Sequence, residues 1–276
     1  MTTTTPGNAG FPAYETLLTR RHGGELHLTL NRPDRRNALT HEMMVEMADL
    51  TDRLADDETC RVVIIRGAGP AFCAGGDLAA MADLPPPPPA GERDSLIAPY
   101  RVFGDVLQNL NKLPQAVVTI VNGAAAGGGF GIACCSDVVL LGPRAKFAIP
   151  EPRAGFIPSQ VIPFIVRRLG EGPARWLAVT GAVMPAEEAY RLGLGQVLCA
   201  DEQELEAALA NVLDQIRRQE PQANATVKDL VHACADHEVG AVLDQAAERL
   251  VGLLRRPQAR EGMRAFLDKR PPSWAE

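Results

Sequence analysis

The chain has 276 residues, 46% of them hydrophobic and 22% charged, long enough for one large domain with a substantial core plus an appendage. Its net charge of −6 and isoelectric point near 5.5 argue against nucleic acid as the partner. No run approaches the ~18 apolar residues of a membrane span. The Thr-, Gly- and Pro-rich residues 1–13 carry neither signal-peptide nor transit-peptide features, so a cytoplasmic protein with a flexible N-terminal arm is expected.

From there strand and helix patterns alternate. Leu26, Leu28 and Leu30 alternate as a strand, and Thr40 caps a helix whose apolar face is Met43, Met47, Leu50 and Leu54. Val62 to Gly67 reads as a buried strand; Ala71-Phe72-Cys73-Ala74-Gly75-Gly76-Asp77-Leu78 follows as a glycine turn opening a short helix. Pro85 to Pro89 form an extended surface loop. Tyr100, Phe103, Leu107 and Leu110 share a helix face that stops at Leu113-Pro114. Val117 to Val121 and Val138 to Leu141 are continuous apolar strands of the kind covered on both faces. Between them, Gly127-Gly128-Gly129-Phe130-Gly131 turns a strand into an apolar helix. Pro173 and Pro185 mark helix starts, and Gly181 and Gly193 fall just past helix ends. Helical patterns recur at Leu205, Leu209, Val212 and Ile216, and from Val242 to Leu254.

The two glycine turns are where chemistry is expected. Without a Cβ the backbone approaches a ligand closely, and the helix that follows offers unpaired N–H groups and a positive dipole end. A phosphate cradle fits poorly, because no Gly-Lys-Ser/Thr follows and no acidic residue is evident about 20 positions on. A developing oxyanion fits better, with one donor from each turn. Close helix packing stays open as the other reason for these glycines. A third element is Phe147 to Pro158, where Glu151 is an acid amid apolar residues, and partial desolvation would raise its pKa toward acid/base use. A solvated loop carboxylate is the alternative for that segment alone. Cys60, Cys73, Cys134, Cys135, Cys199 and Cys234 form no Cys-x-x-Cys pair and are expected as free, mostly buried thiols. His22, His27, His41, His232 and His237 show no metal-ligand spacing, so no metal is expected, and there is no Gly-x-Ser-x-Gly elbow.

In order, Leu28-Thr29-Leu30-Asn31-Arg32-Pro33, Asn37-Ala38-Leu39, Ala71 to Asp77, Gly127-Gly128-Gly129 with Asp137, and Pro150-Glu151 with Gly155 and Pro158 resemble the crotonase (enoyl-CoA hydratase/isomerase) superfamily over roughly residues 15 to 270. The resemblance implies an α/β fold: a crotonase-like spiral of repeated ββα units over residues 14–200, carrying the CoA and active sites, and a helical region over 201–276 that builds homotrimers or hexamers. It implies an acyl-CoA thioester as substrate, with no tightly bound cofactor, since the CoA arrives with the acyl group. The thioester oxygen would accept from the N–H groups of Gly76 and Gly128, with Glu151 as the acid/base. Ala38, Ala74, Gly75, Asp77, Leu78 and Gly127 match substrate- and CoA-binding positions. Of Arg32, Arg35 and Arg36, the last is favoured for the CoA phosphates, and Phe266 and Lys269 match positions that meet the adenine end.

One position departs from the family pattern. Typical enoyl-CoA hydratases carry a second glutamate where this chain has Gly131, leaving Glu151 to take a proton from water and return it to the α-carbon. Residues 127–137 and 150–164 look like the subgroup of methylglutaconyl-CoA and isohexenylglutaconyl-CoA hydratases, which implies water addition to a 3-branched, glutaconyl-type enoyl-CoA. Arg153 is the nearest cation in sequence for a substrate carboxylate, although a surface arginine is the plainer account. The alternatives are a double-bond isomerase, for which one base suffices, and a catalytically weak acyl-CoA-binding protein. In the family, the region matching Pro85 to Pro89 lies over the acyl pocket.

Overall fold

The structure is a computed structural model that describes residues 11–82 and 84–275. Most of the expected arm lies outside the described residues, but Phe11 is already buried in the core, two residues before the boundary drawn from composition.

Strands β1 (Leu17–His22) and β2 (Glu25–Leu30) form an antiparallel hairpin closed by Gly23-Gly24, where Gly23 takes the φ of +56° that such a tight turn favours. A 3₁₀ turn at Pro33–Arg35 precedes α1 (His41–Ala55), whose N-cap Thr40 accepts from the Met43 N–H. Strand β3 (Val62–Gly67) leads through the first glycine turn to α2 (Leu78–Met81), and α3 (Ile97–Lys112) then feeds β4 (Ala116–Val121). Pro85 to Pro89 run between α2 and α3 without regular structure. Next come β5 (Ala124–Ala126), α4 (Gly128–Cys134), β6 (Val138–Leu141), β7 (Lys146–Ala148) and a 3₁₀ turn at Glu151–Ala154. After α5 (Ile162–Leu169) and α6 (Glu171–Thr180), β8 (Val183–Pro185), α7 (Ala186–Arg191) and β9 (Val197–Leu198) complete the sheets. Four helices end the chain: α8 (Glu202–Arg217), α9 (Pro221–Asp236), α10 (Val239–Leu254) and α11 (Pro257–Leu267).

The main sheet has the order β1-β2-β3-β4-β6-β9 and is parallel from β2 onward; a smaller sheet has the order β5-β7-β8. Successive passes of the chain add β4 then β5, and β6 then β7, one strand to each sheet before a helix. This is the repeating ββα unit of a spiral.

The continuous apolar strands are explained by helices on both faces, because side chains alternate sides with period two. Val63, Ile65, Val117, Val121, Val139 and Leu141 share a core with α1, α3 and α4, whereas Val62, Ile64, Val118, Ile120 and Leu140 meet Leu205, Leu209 and Val212 of α8. The last helices are fastened to the core by polar contacts. Asp137 Oδ2 accepts from the Val117 N–H at 2.7 Å and from Lys228 Nζ of α9 at 2.8 Å. Arg61 donates to the carbonyls of Arg217, Gln219 and Trp274. Among the described residues, no helix is long and apolar enough to cross a membrane.

Candidate active site

Two turns that are 50 residues apart in sequence meet at the C-terminal ends of β3 and β4, and Asn37 fixes the first of them. Arg36 and Asn37 both have positive φ, +51° and +54°, a conformation that side chains other than glycine, asparagine and aspartate rarely adopt. Asn37 is fully buried and held there: its Oδ1 accepts from the Arg32 N–H at 2.9 Å, and its Nδ2 donates to the carbonyls of Ala68, Ala71 and Phe72 at 2.9, 2.9 and 3.1 Å. The Leu39 N–H reaches the Gly75 carbonyl and the Asp77 N–H reaches the Leu39 carbonyl. Gly76 lies between these two bonds, and among the described residues its N–H has no backbone acceptor.

The second turn is joined to the first as a strand would be. The Phe72 and Cys73 N–H groups both donate to the Ala124 carbonyl, and the Ala126 N–H donates to Cys73. Each glycine that follows has its own reason. Gly127 has φ +47° and ψ −112°, and a Cβ there would lie 2.3 Å from Glu151 Oε1. A Cβ on Gly128 would lie 2.2 Å from Leu39 Cδ1, and one on Gly129 2.6 Å from Cys73 Cβ. Close packing is therefore real at Gly128 and Gly129, and it coexists with a free donor, because Gly128 begins α4 and its N–H has no intrahelical acceptor.

Glu151 opens the 3₁₀ turn after β7, which the Gly127 N–H holds through the Ala148 carbonyl at 3.0 Å. Glu151 is 9% exposed, and its Oε2 has no hydrogen-bond partner. Burial pushes its pKa above the ordinary glutamate value, opposed only by its own backbone N–H. A cleft of about 290 Å³ opens in front of it, walled by Arg35, Arg36 and Ala38, by Ala74 to Ala79, and by Pro150, Ala154 and Phe156. Its other carboxylate, Asp77, accepts two N–H groups of Arg32 at 3.1 Å each and is thereby neutralised. Glu151 is left as the unpaired acid of the cleft.

The profile of the enoyl-CoA hydratase/isomerase family matches residues 20–276. The chain belongs to that family. It is 32% identical to the 1,2-epoxyphenylacetyl-CoA isomerase of Escherichia coli K12, covering 94% of this chain and 98% of that protein. It is 33% identical to the carnitinyl-CoA dehydratase of Proteus mirabilis, covering 93% and 97%. Among solved structures, an enoyl-CoA hydratase/isomerase from Marinobacter aquaeolei superposes with a TM-score of 0.90 at 39% identity, and AtuE of Pseudomonas aeruginosa with 0.89 at 41%; each pairing covers 95% of this chain and 100% of the other.

Within this enoyl-CoA hydratase/isomerase fold, the structure brings Arg36, Ala38, Ala74, Gly75, Gly76, Asp77 and Leu78 to one cleft with Glu151. Gly127 lies against the Glu151 carboxylate, and Gly128 is buried beneath Leu39 and Phe103. Phe266, 84% exposed on α11, and Lys269 just beyond it are outside the residues that wall the cleft. Arg153 is also outside, donating to the Gly181 carbonyl at 2.7 Å. At Gly131 a Cβ would lie 2.8 Å from Val161 Cγ1 and 3.2 Å from Leu107 Cδ1, so the place of a second acid is filled by apolar side chains.

Sequence reasoning did not assign Asn37 its role, although an asparagine beside a Pro-Asp turn is a signal for positive φ. Arg35 lines the cleft beside Arg36, whereas Arg32 is committed to Asp77. Cys73 is fully buried, and burial pushes its thiol up to about 12, which leaves it protonated and inert. Among the described residues, no group of three or more His, Cys, Asp or Glu side chains is placed to hold a metal ion.

Proposed function

We propose that the protein is an acyl-CoA lyase that adds water across the α,β double bond of an enoyl-CoA, with Glu151 as its acid/base. The observation that carries this is the buried, unpaired Glu151 carboxyl set against Gly127, one residue from the Gly128 donor, in a cleft that Gly76 also lines. The thioester oxygen accepts from the Gly76 and Gly128 N–H groups. As the water oxygen bonds to the β-carbon, Glu151 takes a proton from that water, and the electron pair of the double bond moves through the α-carbon onto the thioester oxygen. The electrons then return and the α-carbon takes the proton from Glu151, leaving a 3-hydroxyacyl-CoA. Each backbone donor contributes on the order of 3 kcal/mol to stabilising the enolate. Raising the carboxyl pKa suits the residue to both halves of this proton exchange.

Among the described residues, Arg35 and Arg36 make no ion pair and flank the cleft, which supports a role for Arg36, with Arg35 beside it, toward the CoA phosphates. A 3-branched, glutaconyl-type acyl group is the substrate class we assign. The subgroup pattern of residues 150–164 and the apolar filling at Gly131 support it. A homotrimer or hexamer is proposed as the assembly, supported by the exposed Val239, Leu243, Leu250, Leu254, Phe266 and Leu267 of the last two helices.

One observation favours a second reading: with one unpaired carboxylate in the cleft, a double-bond isomerase would also be served, shuttling a proton between carbons. Turnover of enoyl-CoA in heavy-oxygen water separates the two. Label in a 3-hydroxyacyl product supports hydration; a shifted double bond without label overturns it. A fall in turnover of about 10²–10⁴ in Glu151→Gln with acyl-CoA binding intact is expected, and unchanged turnover would remove Glu151 from the chemistry.

A further inference from the structure

Asp77 stands at the N-cap of α2, where an aspartate ordinarily accepts from the first free N–H groups of the helix, yet its side chain makes no such bond. The carboxylate turns back to Arg32 instead, accepting from Nη1 and Nη2 at 3.1 Å each. The same Nη1 donates to the Ala38 carbonyl at 2.5 Å. Arg32 is itself held in place, because its N–H donates to Asn37 Oδ1 and its carbonyl accepts from the Asn37 N–H, both at 2.9 Å. One guanidinium thus ties residue 38 to residue 77, on the two sides of the junction that carries Gly76. Leu39 and Gly76 pair there as residues of parallel strands do. The Leu39 N–H donates to the Gly75 carbonyl at 2.8 Å, and the Asp77 N–H to the Leu39 carbonyl at 3.0 Å. In such a pairing the bonded groups belong to the residues flanking Gly76, and its own N–H points the other way.

Gly75 has φ +89°, and neither it nor Gly76 has a side chain to pack, so the direction of that N–H depends on how firmly residue 77 is held. We propose that Arg32 is a positioning residue that aims the Gly76 N–H by gripping Asp77 and the Ala38 carbonyl, and that Asp77 serves this grip rather than the substrate. The inference rests on the proposed role of the Gly76 N–H as a thioester donor. A guanidinium suits the task because its planar fork meets several acceptors in fixed geometry, whereas an ammonium is a point charge. A group misplaced by about 1 Å costs on the order of 100-fold in rate, which bounds the effect of losing the grip.

Acetoacetyl-CoA supplies a test that needs no turnover. Loss of its C2 proton gives an enolate whose charge sits partly on the thioester oxygen, and near-ultraviolet absorption reports the enolate-to-keto ratio of the bound thioester. The full chain is compared as wild type, Arg32→Met, Arg32→Lys, Asp77→Ala and the Arg32→Met/Asp77→Ala double variant. Arg21→Met is the control, because Arg21 makes a similarly sheltered ion pair with Asp57 outside the cleft lining. In Arg32→Met the bound ratio and the kcat for enoyl-CoA are each expected to fall about 10- to 100-fold, with KM within threefold. The double variant should lose no more than the worse single one, since the two residues act as a unit. Arg21→Met should leave both readouts within twofold. Where Arg32→Met does not fold, Arg32→Lys, which keeps the charge without the fork, decides by the same measures. A ratio and kcat within twofold of the wild type in an Arg32 variant that melts like it, losses that multiply in the double variant, or an equal fall in Arg21→Met overturns the proposal. A wild type that leaves the ratio at its value in water overturns the Gly76 donor and the grip together; a raised ratio without hydration sinks only the proposed reaction.

Discussion

Replacing Glu151 by glutamine separates the effect of its charge from that of its shape. The folded protein leaves Glu151 9% exposed with Oε2 buried and unpartnered, so its ionised form carries an unmet desolvation cost, of about 1–3 kcal/mol for a buried group without its hydrogen bond. Burial raises the folded pKa above the unfolded value of about 4.3. Below the unfolded pKa both states are protonated and the cost is absent; it grows as pH rises between the two values and is complete above the folded one. Glu151→Gln should therefore raise the melting temperature at pH 8 relative to its effect at pH 4, by roughly 2–12 °C at the ~2–4 °C per kcal/mol of a domain this large. The amide brings buried polar atoms of its own, so the pH dependence of the gain, more than its size, is decisive. Thermal melts of both proteins at pH 4, 6 and 8 provide the assay. A difference that stays constant with pH, or a loss that grows toward pH 8, would refute the picture of an unpaired buried carboxyl. The acid limb of the wild-type kcat/KM profile should be shifted upward from the ordinary glutamate value by the burial of Glu151, and activity in the variant should fall by about 10²–10⁴.

Asn37→Ala removes the donor shared by three carbonyls and the acceptor of the Arg32 N–H, at a position with φ +54°; a loss of about 3–5 kcal/mol is expected in urea denaturation, with activity falling as the Gly76 turn loosens. Gly127→Ala puts a methyl onto the Glu151 carboxylate from a backbone conformation suited to glycine, and kcat should drop about 100-fold; activity near that of the wild type would refute the contact. Gly76→Ala should keep activity within about tenfold, because its Cβ meets only the flexible Met81 Sδ at 3.2 Å, whereas Gly76→Pro deletes the N–H and should cost about 10²–10³ in kcat.

The local features of the fold are visible along the chain. The Thr40 cap, the Met43 to Leu54 face, the apolar strands and the glycines at 181 and 193 each depend on residues within a turn or a strand of one another, and each appears where its pattern places it. The site is legible in part for the same reason, since Gly75-Gly76-Asp77, Gly127-Gly128-Gly129 and Pro150-Glu151 are short segments with their own backbone demands. Composition does not show that Phe11 gains burial from core residues distant in sequence.

By itself, then, the sequence determined the order of strands and helices, the turns able to expose backbone donors, and the isolation of one acid among apolar residues. Those are consequences of period and of glycine and proline geometry, which act over a few residues. Only the tertiary structure decided that Arg32 is bound to Asp77 while Arg35 and Arg36 face the cleft, that Arg153 turns to Gly181, and that Asn37 fastens one turn to the next. It also decided why residue 131 is glycine: Val161 and Leu107 fill its space, and they reach it from α3 and the N-cap of α5. Each of these depends on partners 20 or more residues apart, whose meeting is set by how helices pack on the sheets and leaves no trace in any local pattern.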